Sequence, residues 1–220
     1  MNIEPVAYFS SPLREKFGIP RQSGLAPSLK GEVRFVPPYD SADALRGLEG
    51  FDYVWLLWEF SLNGASRSLT VRPPRLGGNE RVGVFASRSP FRPNPLGLSC
   101  VKLESVEPGC LRVSGADLAD GTPIYDVKPY VEYADSRPGA RCGFTDAHER
   151  LRLSVELPEG FEKEYPQELL PALVQIIEED PRPAYQDDPA RIYGVTIGEY
   201  NVRFRVEGGV AKVLEPVYCQ

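Results

Sequence analysis

The sequence lacks what most metal and nucleotide chemistries require. Among 220 residues there is one histidine, His148, and the four cysteines, Cys100, Cys110, Cys142 and Cys219, form no C-x-x-C pair. A zinc site draws on closely spaced Cys and His ligands, so no metal is expected. The cysteines read as free thiols of a reducing compartment. No G-x-G-x-x-G follows a strand pattern and no G-x-x-x-x-G-K-[ST] occurs. That excludes the usual phosphate-cradling loops and disfavours a doubly wound dinucleotide-binding fold. No run of about 18 apolar residues is present, which argues against a membrane-spanning helix. The N-terminal MNIEPVAYFSSP has no basic region followed by an apolar stretch, so a signal peptide is not expected. These absences together lead to the expectation of a soluble cytoplasmic protein.

Lysine is also scarce, with six among 25 basic residues, and the net charge is −6. That balance does not advertise a nucleic-acid binder. Arginine, however, grips planar anions with two hydrogen bonds, and basic groups clustered on one face escape a whole-chain sum.

Proline, by contrast, is abundant. Its 22 residues are about twice the usual share and are scattered, not pooled in a linker. Such spacing favours turns and short strands over long helices. Period-2 patterns dominate: Val33 and Phe35; Leu111 and Val113; Leu151, Leu153, Val155 and Leu157; Val202, Phe204 and Val206. Each predicts a half-buried strand. Phe51–Phe60, FDYVWLLWEF, is apolar on both faces and predicts a central strand. Two helices are expected. One is short, capped by Ser41, with Leu45 and Leu48 on one face and Gly50 as its stop. The other lies within Tyr165–Glu179, where Leu169, Leu170, Leu173, Val174, Ile176 and Ile177 share a face and Pro171 falls in the early turns.

The order of these elements implies a mainly β chain, with an N-terminal barrel followed by a small C-terminal α+β domain. The Pro/Gly stretch Asp135–Arg141 marks the boundary, giving domains 1–138 and 139–220.

Three segments carry candidate chemistry. Val82–Ser99, VGVFASRSPFRPNPLGLS, opens as a strand and becomes a loop with Arg88, Ser89, Arg92 and Asn94 among Pro90, Pro93 and Pro95. Closely spaced prolines stiffen a backbone, and a stiff loop presenting Arg, Ser and Asn suits a binding platform. The competing reading is a surface crossover with solvated arginines. Asp117–Tyr130, DLADGTPIYDVKPY, offers three carboxylates, a lysine and an Asp120-Gly121 turn, or else a solvated hairpin. Phe17–Gln22, FGIPRQ, aims Arg21 from behind Pro20, or is an ordinary loop. The residues alone imply a polar, metal-free ligand site on a β-rich scaffold.

These segments resemble the tRNA-methyltransferase O family, also called the TsaA-like or YaeB family. The similarity rests on FSSPLREKFGIPRQ at 9–22, the whole of 82–99, DLADGTPIYDVKPY at 117–130, DPRPAY at 180–185 and NVRFRV at 201–206. The resemblance implies a barrel that binds S-adenosylmethionine (SAM), a small C-terminal α+β domain and a homodimer with its active site near the subunit boundary. It implies methyl transfer to N6 of threonylcarbamoyl-adenosine at position 37, in the tRNA anticodon loop. Carried over by motif, the SAM contacts fall on Pro20, Arg21, Gln22, Ser61, Leu62, Arg88, Leu98, Leu118, Ala119, Asp120 and Gly121. At 61–62 members often have His followed by a polar residue, so Ser61 and Leu62 depart from the pattern. A backbone contact is still expected there.

No single residue declares itself the base. Candidates are Asp126, Lys128 and Tyr130 from the barrel, and Asp180, Tyr185, Arg182 and Tyr193 from the C-terminal domain; His148 is a remoter one. Arg203 and Arg205 share one strand face and, with Arg182, Arg191, Arg141, Arg150 and Arg152, make a candidate phosphate-binding stripe. Tyr185 and Tyr193 are candidate platforms for an unstacked base. The competing functions are a non-catalytic SAM-binding regulator and a SAM-independent RNA-binding protein.

Overall fold

The structure, a computed structural model, describes residues 2–64, 66–76, 80–147, 151–183, 186 and 188–219. Three strands come first: β1 (Ala7–Ser10), β2 (Lys30–Phe35) and β3 (Tyr53–Glu59). A small hairpin of β4 (Thr70–Val71) and β5 (Val82–Gly83) follows. Then come β6 (Leu96–Glu107), β7 (Cys110–Ser114) and β8 (Pro123–Pro129). Six of these strands close into a barrel in the order β1-β2-β7-β6-β3-β8. Every pairing is antiparallel, and β8 returns to β1 through Ala7↔Ile124.

Strand alternation fills the barrel. Val54, Leu56 and Trp58 point in and are buried with Ala7, Phe9, Val33, Val101, Leu111, Val113 and Ile124. The central-strand expectation for 51–60 is met by β3, which is paired on one side by β6 and on the other by β8. Its outward residues Tyr53, Trp55 and Leu57 are apolar as well, which is why the segment reads as two-sided.

The remaining strands, β9 (Ser154–Glu156), β10 (Tyr193–Ile197), β11 (Tyr200–Glu207) and β12 (Val210–Tyr218), form a sheet in the order β10-β11-β12-β9. The last pair is parallel. A helix, α4 (Leu170–Glu178), supplies Ala172, Leu173, Ile176 and Ile177 to a core shared with Val195, Ile197, Val202 and Phe204.

Local details differ from the sequence expectations. The strand expected over 151–157 is only Ser154–Glu156, and Leu151 is 79% exposed. The helix expected within 165–179 begins at Leu170, because Pro171 is tolerated only in a first turn. A separate turn of helix, α3 (Phe161–Glu164), precedes it and buries Phe161. Ser41 does cap α1 (Ala42–Leu45), accepting the Asp43 amide at 3.2 Å, but the helix stops before Gly47, ahead of Gly50. The strand opening of 82–99 is just Val82–Gly83, and a 3-10 turn takes over at Val84–Ala86. A further short helix, α2 (Glu132–Asp135), closes the barrel half.

The excursion between β1 and β2 matters most for the site. Its Leu13, Ala26 and Leu29 are buried in the C-terminal core, with Phe17 and Ile19 packed beside them. Polar ties reinforce this. The Gly198 amide donates to Pro12 O at 2.8 Å, and Gln175 exchanges hydrogen bonds with Ser28 at 2.9 and 3.0 Å. FGIPRQ therefore rides on a segment held by both halves.

Candidate cofactor and substrate site

Antiparallel register brings the motif segments to one end of the barrel, where β3, β7 and β1 finish and β6 begins. Arg88 Nη1 donates to Gln22 Oε1 at 2.6 Å, joining the proline-rich loop to FGIPRQ. Trp58 Nε1 donates to Ser99 Oγ at 2.9 Å, and Ser99 Oγ donates to Asp117 Oδ1 at 2.5 Å. The Ser99 bond favours the charged form of Asp117, helped to a smaller degree by its own amide, the charge of Arg88 and the Ser23 amide. Desolvation outweighs these favourable contacts and pushes its pKa up to about 6.

The turn after Asp117 is stitched to β1. Asp120 N donates to Leu13 O at 2.8 Å, Asp120 Oδ1 accepts the Ser11 amide at 3.0 Å, and Gly121 N donates to Phe9 O at 2.8 Å. Gly121 has φ +73°, the left-handed conformation that its place in the turn requires. Leu118 is fully buried and Ala119 nearly so. Only their backbone is available to a ligand, and the Asp120 carboxylate is already engaged in part.

Other carried-over positions divide. Pro20 precedes Arg21, whose Nη2 donates to Asp180 O and Arg182 O at 3.0 and 2.8 Å. That guanidinium clasps the C-terminal loop. Ser61 and Leu62 form the turn that leaves β3, with the Ser61 amide bound to Glu59 O at 2.7 Å. Leu98 is 59% exposed on the barrel's outer wall opposite Leu57, while its neighbour Ser99 points inward. It is thus set apart from the Arg88–Asp117 cluster. Arg92 holds the loop in shape through Ser87 O at 2.7 Å and Val84 O at 3.5 Å.

The catalytic candidates do not converge. Asp126 and Lys128 alternate onto the outer wall of β8, with Tyr130 just after it, and Lys128 Nζ lies 2.7 Å from Asp126 Oδ2. Tyr130 meets Tyr53 and Trp55 edge-on or tilted, at 6.1 and 6.2 Å between ring centres. The Asp180 carboxylate receives Arg182 Nε and Nη2 at 2.7 and 2.8 Å. Both carboxylates are thus already engaged with a cation. Tyr185, His148 and Arg150 lie outside the described residues.

The candidate basic stripe also thins. Arg182 is only 11% exposed at its side chain; its Nε and Nη2 bind Asp180, its guanidinium lies 5.9 Å from the Tyr193 ring, and its Nη1 is buried without a hydrogen-bond partner among the described residues. It is a structural cation, not an exposed phosphate ligand. Arg152 pairs with Glu179 at 3.1 Å. Arg191 remains exposed, its guanidinium 5.5 Å from the Tyr193 ring centre. Tyr193 itself is buried between Phe17 and Phe204, so it is core and not a stacking platform. Arg203 and Arg205 do share the exposed face of β11, and among the described residues neither forms an ion pair. Lys212 stands opposite Arg205.

Sequence reasoning missed Asp117, Ser99 and Trp58 as a connected set. Each lies in or beside a motif, but only the barrel register shows that they face one another. No metal-holding group of His, Cys, Asp and Glu exists among the described residues. No helix there is long and apolar enough to cross a membrane.

Comparison with known proteins agrees with this arrangement. The model of the tRNA-methyltransferase O N-terminal domain matches residues 8–136, and that of the TrmO C-terminal domain matches 152–217. The chain is 41% identical to the tRNA (adenine(37)-N6)-methyltransferase of Escherichia coli, over 97% of each chain. It is 46% identical to a Pseudomonas aeruginosa protein provisionally assigned as an S-adenosylmethionine-dependent methyltransferase, over 92% of this chain and 91% of that one. The crystal structure of TrmO from Pseudomonas aeruginosa superposes with a TM-score of 0.82 at 36% identity, covering 99% of this chain and 98% of that one. With both domain models matched and such relatives over nearly its whole length, the chain belongs to the tRNA-methyltransferase O family.

Proposed function

We propose that this protein is a SAM-dependent tRNA methyltransferase that methylates N6 of adenosine 37 in the anticodon loop, on a base that already carries a threonylcarbamoyl group. The observation that carries this is the convergence of FGIPRQ, the proline-rich loop and the DLADG turn at one barrel end, in a chain whose relatives are tRNA (adenine(37)-N6)-methyltransferases. The donor set fits SAM. Its carboxylate suits Arg88, its ammonium suits a carboxylate, and its adenosine suits the backbone groups of the turn at 118–121 and of Pro20–Gln22 and Ser61–Leu62. Leu98 offers an apolar contact from the outer wall.

When bound, SAM supplies an electrophilic methyl on its sulfonium. The chain's task is then alignment of N6 with that methyl at about 3–3.5 Å. Acylation delocalises the N6 lone pair and makes its proton more acidic, so a stabilising cation aids attack. Arg203 and Arg205 on β11 and Arg191 before β10 hold the tRNA backbone, and Arg182 braces the loop that leads to Arg191. Domains 1–138 and 139–220 divide the work into cofactor and tRNA binding. The protein acts in the cytoplasm as a homodimer. The exposed Leu98, Phe85 and Phe91 support an apolar subunit contact.

Incubation with methyl-labelled SAM and tRNA from a strain lacking the endogenous enzyme tests this reading. Label enters the tRNA if the reading is right. Tight SAM binding without transfer would leave a SAM-binding regulator instead.

A further inference from the structure

The positive charge of this acidic chain is concentrated in one segment. Residues 60–95 hold six arginines, no lysine and a single acid, Glu80, a net of +5. The chain as a whole stands at −6, so everything outside that segment carries −11.

The fold turns this segment into an arm. At its neck Phe60 N donates to Pro95 O at 2.7 Å. Further out Ser66 N donates to Arg92 O and Val84 N to Leu69 O, both at 3.0 Å, before β4 and β5 pair. The arm leaves the barrel between β3 and β6, at the end where Arg88 and Gln22 meet.

Its arginines are free of carboxylates. Arg67, Arg72, Arg81 and Arg88 are exposed. Arg81 Nη1 donates to the Thr70 hydroxyl at 2.7 Å and Arg88 to the Gln22 side-chain oxygen, both uncharged partners. Among the described residues none of the four forms an ion pair, whereas Arg34, Arg46, Arg112, Arg152 and Arg182 are each matched by a carboxylate. Unneutralised like charges on one short arm repel one another, and a polyanion relieves that repulsion. SAM does not, because its one carboxylate occupies one guanidinium. Arginine without lysine suits phosphate oxygens, which it grips two at a time. A nucleic acid that offers a base to this end of the barrel has the arm beside it.

We propose that the arm between β3 and β6 is a tRNA-binding surface, on which Arg67, Arg72 and Arg81 hold backbone phosphates near the methylated base. This rests on the reading of the protein as a tRNA methyltransferase, and it adds the barrel domain to the tRNA contact of the C-terminal domain.

The test is filter binding of tRNA to the full chain between about 50 and about 200 mM salt. The double variant Arg67→Glu with Arg72→Glu is set beside the wild type and the Arg67→Lys, Arg72→Lys pair. The Glu pair should weaken tRNA binding at least about tenfold at the low-salt end and make the salt slope shallower by about 2. The Lys pair keeps the charge and should keep most of the affinity. SAM affinity by calorimetry should be the same in all three, which also shows that the variants fold. Arg67→Ala with Arg72→Ala carries the same slope prediction, and decides the matter if the Glu pair does not fold. Wild-type tRNA affinity and slope in the Glu pair overturn the proposal. A changed molecular mass by light scattering with the tRNA slope intact also overturns it, and makes the arm a contact between copies of the chain. In both cases the wild type still methylates tRNA, so the methyltransferase reading stands. A wild type that neither binds nor methylates tRNA overturns the two together.

Discussion

An ionised carboxylate withdrawn from water beside Ser99 has a stability consequence of definite sign. The folded pKa of Asp117, about 6, lies above its ordinary value of 3.8. Its contribution is therefore complete below the unfolded pKa and is lost as pH rises through the folded one. Between about pH 4 and about pH 6 this one group removes on the order of 3 kcal/mol. Glu104, Glu107 and Asp135 are shifted the opposite way by hydrogen bonds from Ser114, Arg112 and the Val131 amide, so the whole-protein curve mixes both signs. The difference between wild type and Asp117→Asn isolates the one group. Denaturant midpoints should show the variant gaining on the wild type as pH rises from about 4 to about 7. A constant difference would contradict the assignment. Nothing in DLADGTPIYD distinguishes Asp117 from Asp120 or Asp126 by residue type. Their fates are set by neighbours distant in sequence: Ser99 for the first, Ser11 for the second, the outer wall for the third.

The strands were the most legible elements, and pleat parity then explains much of the site. β6 alternates Leu98 outward and Ser99 inward, so adjacent residues of one motif serve different surfaces. Gly97 is the key to this stretch. It stands opposite Trp58, and a Cβ there would meet the indole Cε2 at 2.3 Å. Gly97→Ala must push Trp58 off Ser99. It should cost about 1–3 kcal/mol of stability in thermal unfolding and weaken SAM binding with it. Gly83→Ala, where a Cβ meets nothing within 4 Å, is the control and should be near neutral. An equally mild Gly97→Ala would show that the indole is not held there. On β11 the same parity puts Arg203 and Arg205 on the exposed face. Arg203→Glu should weaken tRNA binding in low-salt filter assays while SAM affinity stays the same; equal tRNA affinity would remove this face from the interface. Helix limits were less legible, because Pro171 and Gly47 decide where the hydrogen-bond ladder can run while the apolar pattern continues past them.

At the scale of the molecule, the excursion between β1 and β2 couples the two halves. FGIPRQ could pass for an ordinary loop in the sequence, yet its Phe17 and Ile19 pack against the C-terminal core. The excursion's Leu13, Ala26 and Leu29 belong to that core, and Arg21 reaches the carbonyls of Asp180 and Arg182. Long-range packing of this kind has no local periodicity to announce it. A fragment of residues 1–138 should therefore expose that apolar set and lose SAM affinity, seen by calorimetry and dye binding. A monodisperse fragment with full affinity would show that the barrel stands alone.

The central claim is that this barrel transfers a methyl group from SAM to N6 of a threonylcarbamoylated adenosine in tRNA. The most direct measurement is mass spectrometry of nucleosides digested from tRNA treated with the protein and SAM. The expected result is a methylated threonylcarbamoyl-adenosine that forms only with SAM and only on tRNA already carrying the threonylcarbamoyl group. A methyl group on any other nucleoside, or none at all with SAM demonstrably bound, would contradict it.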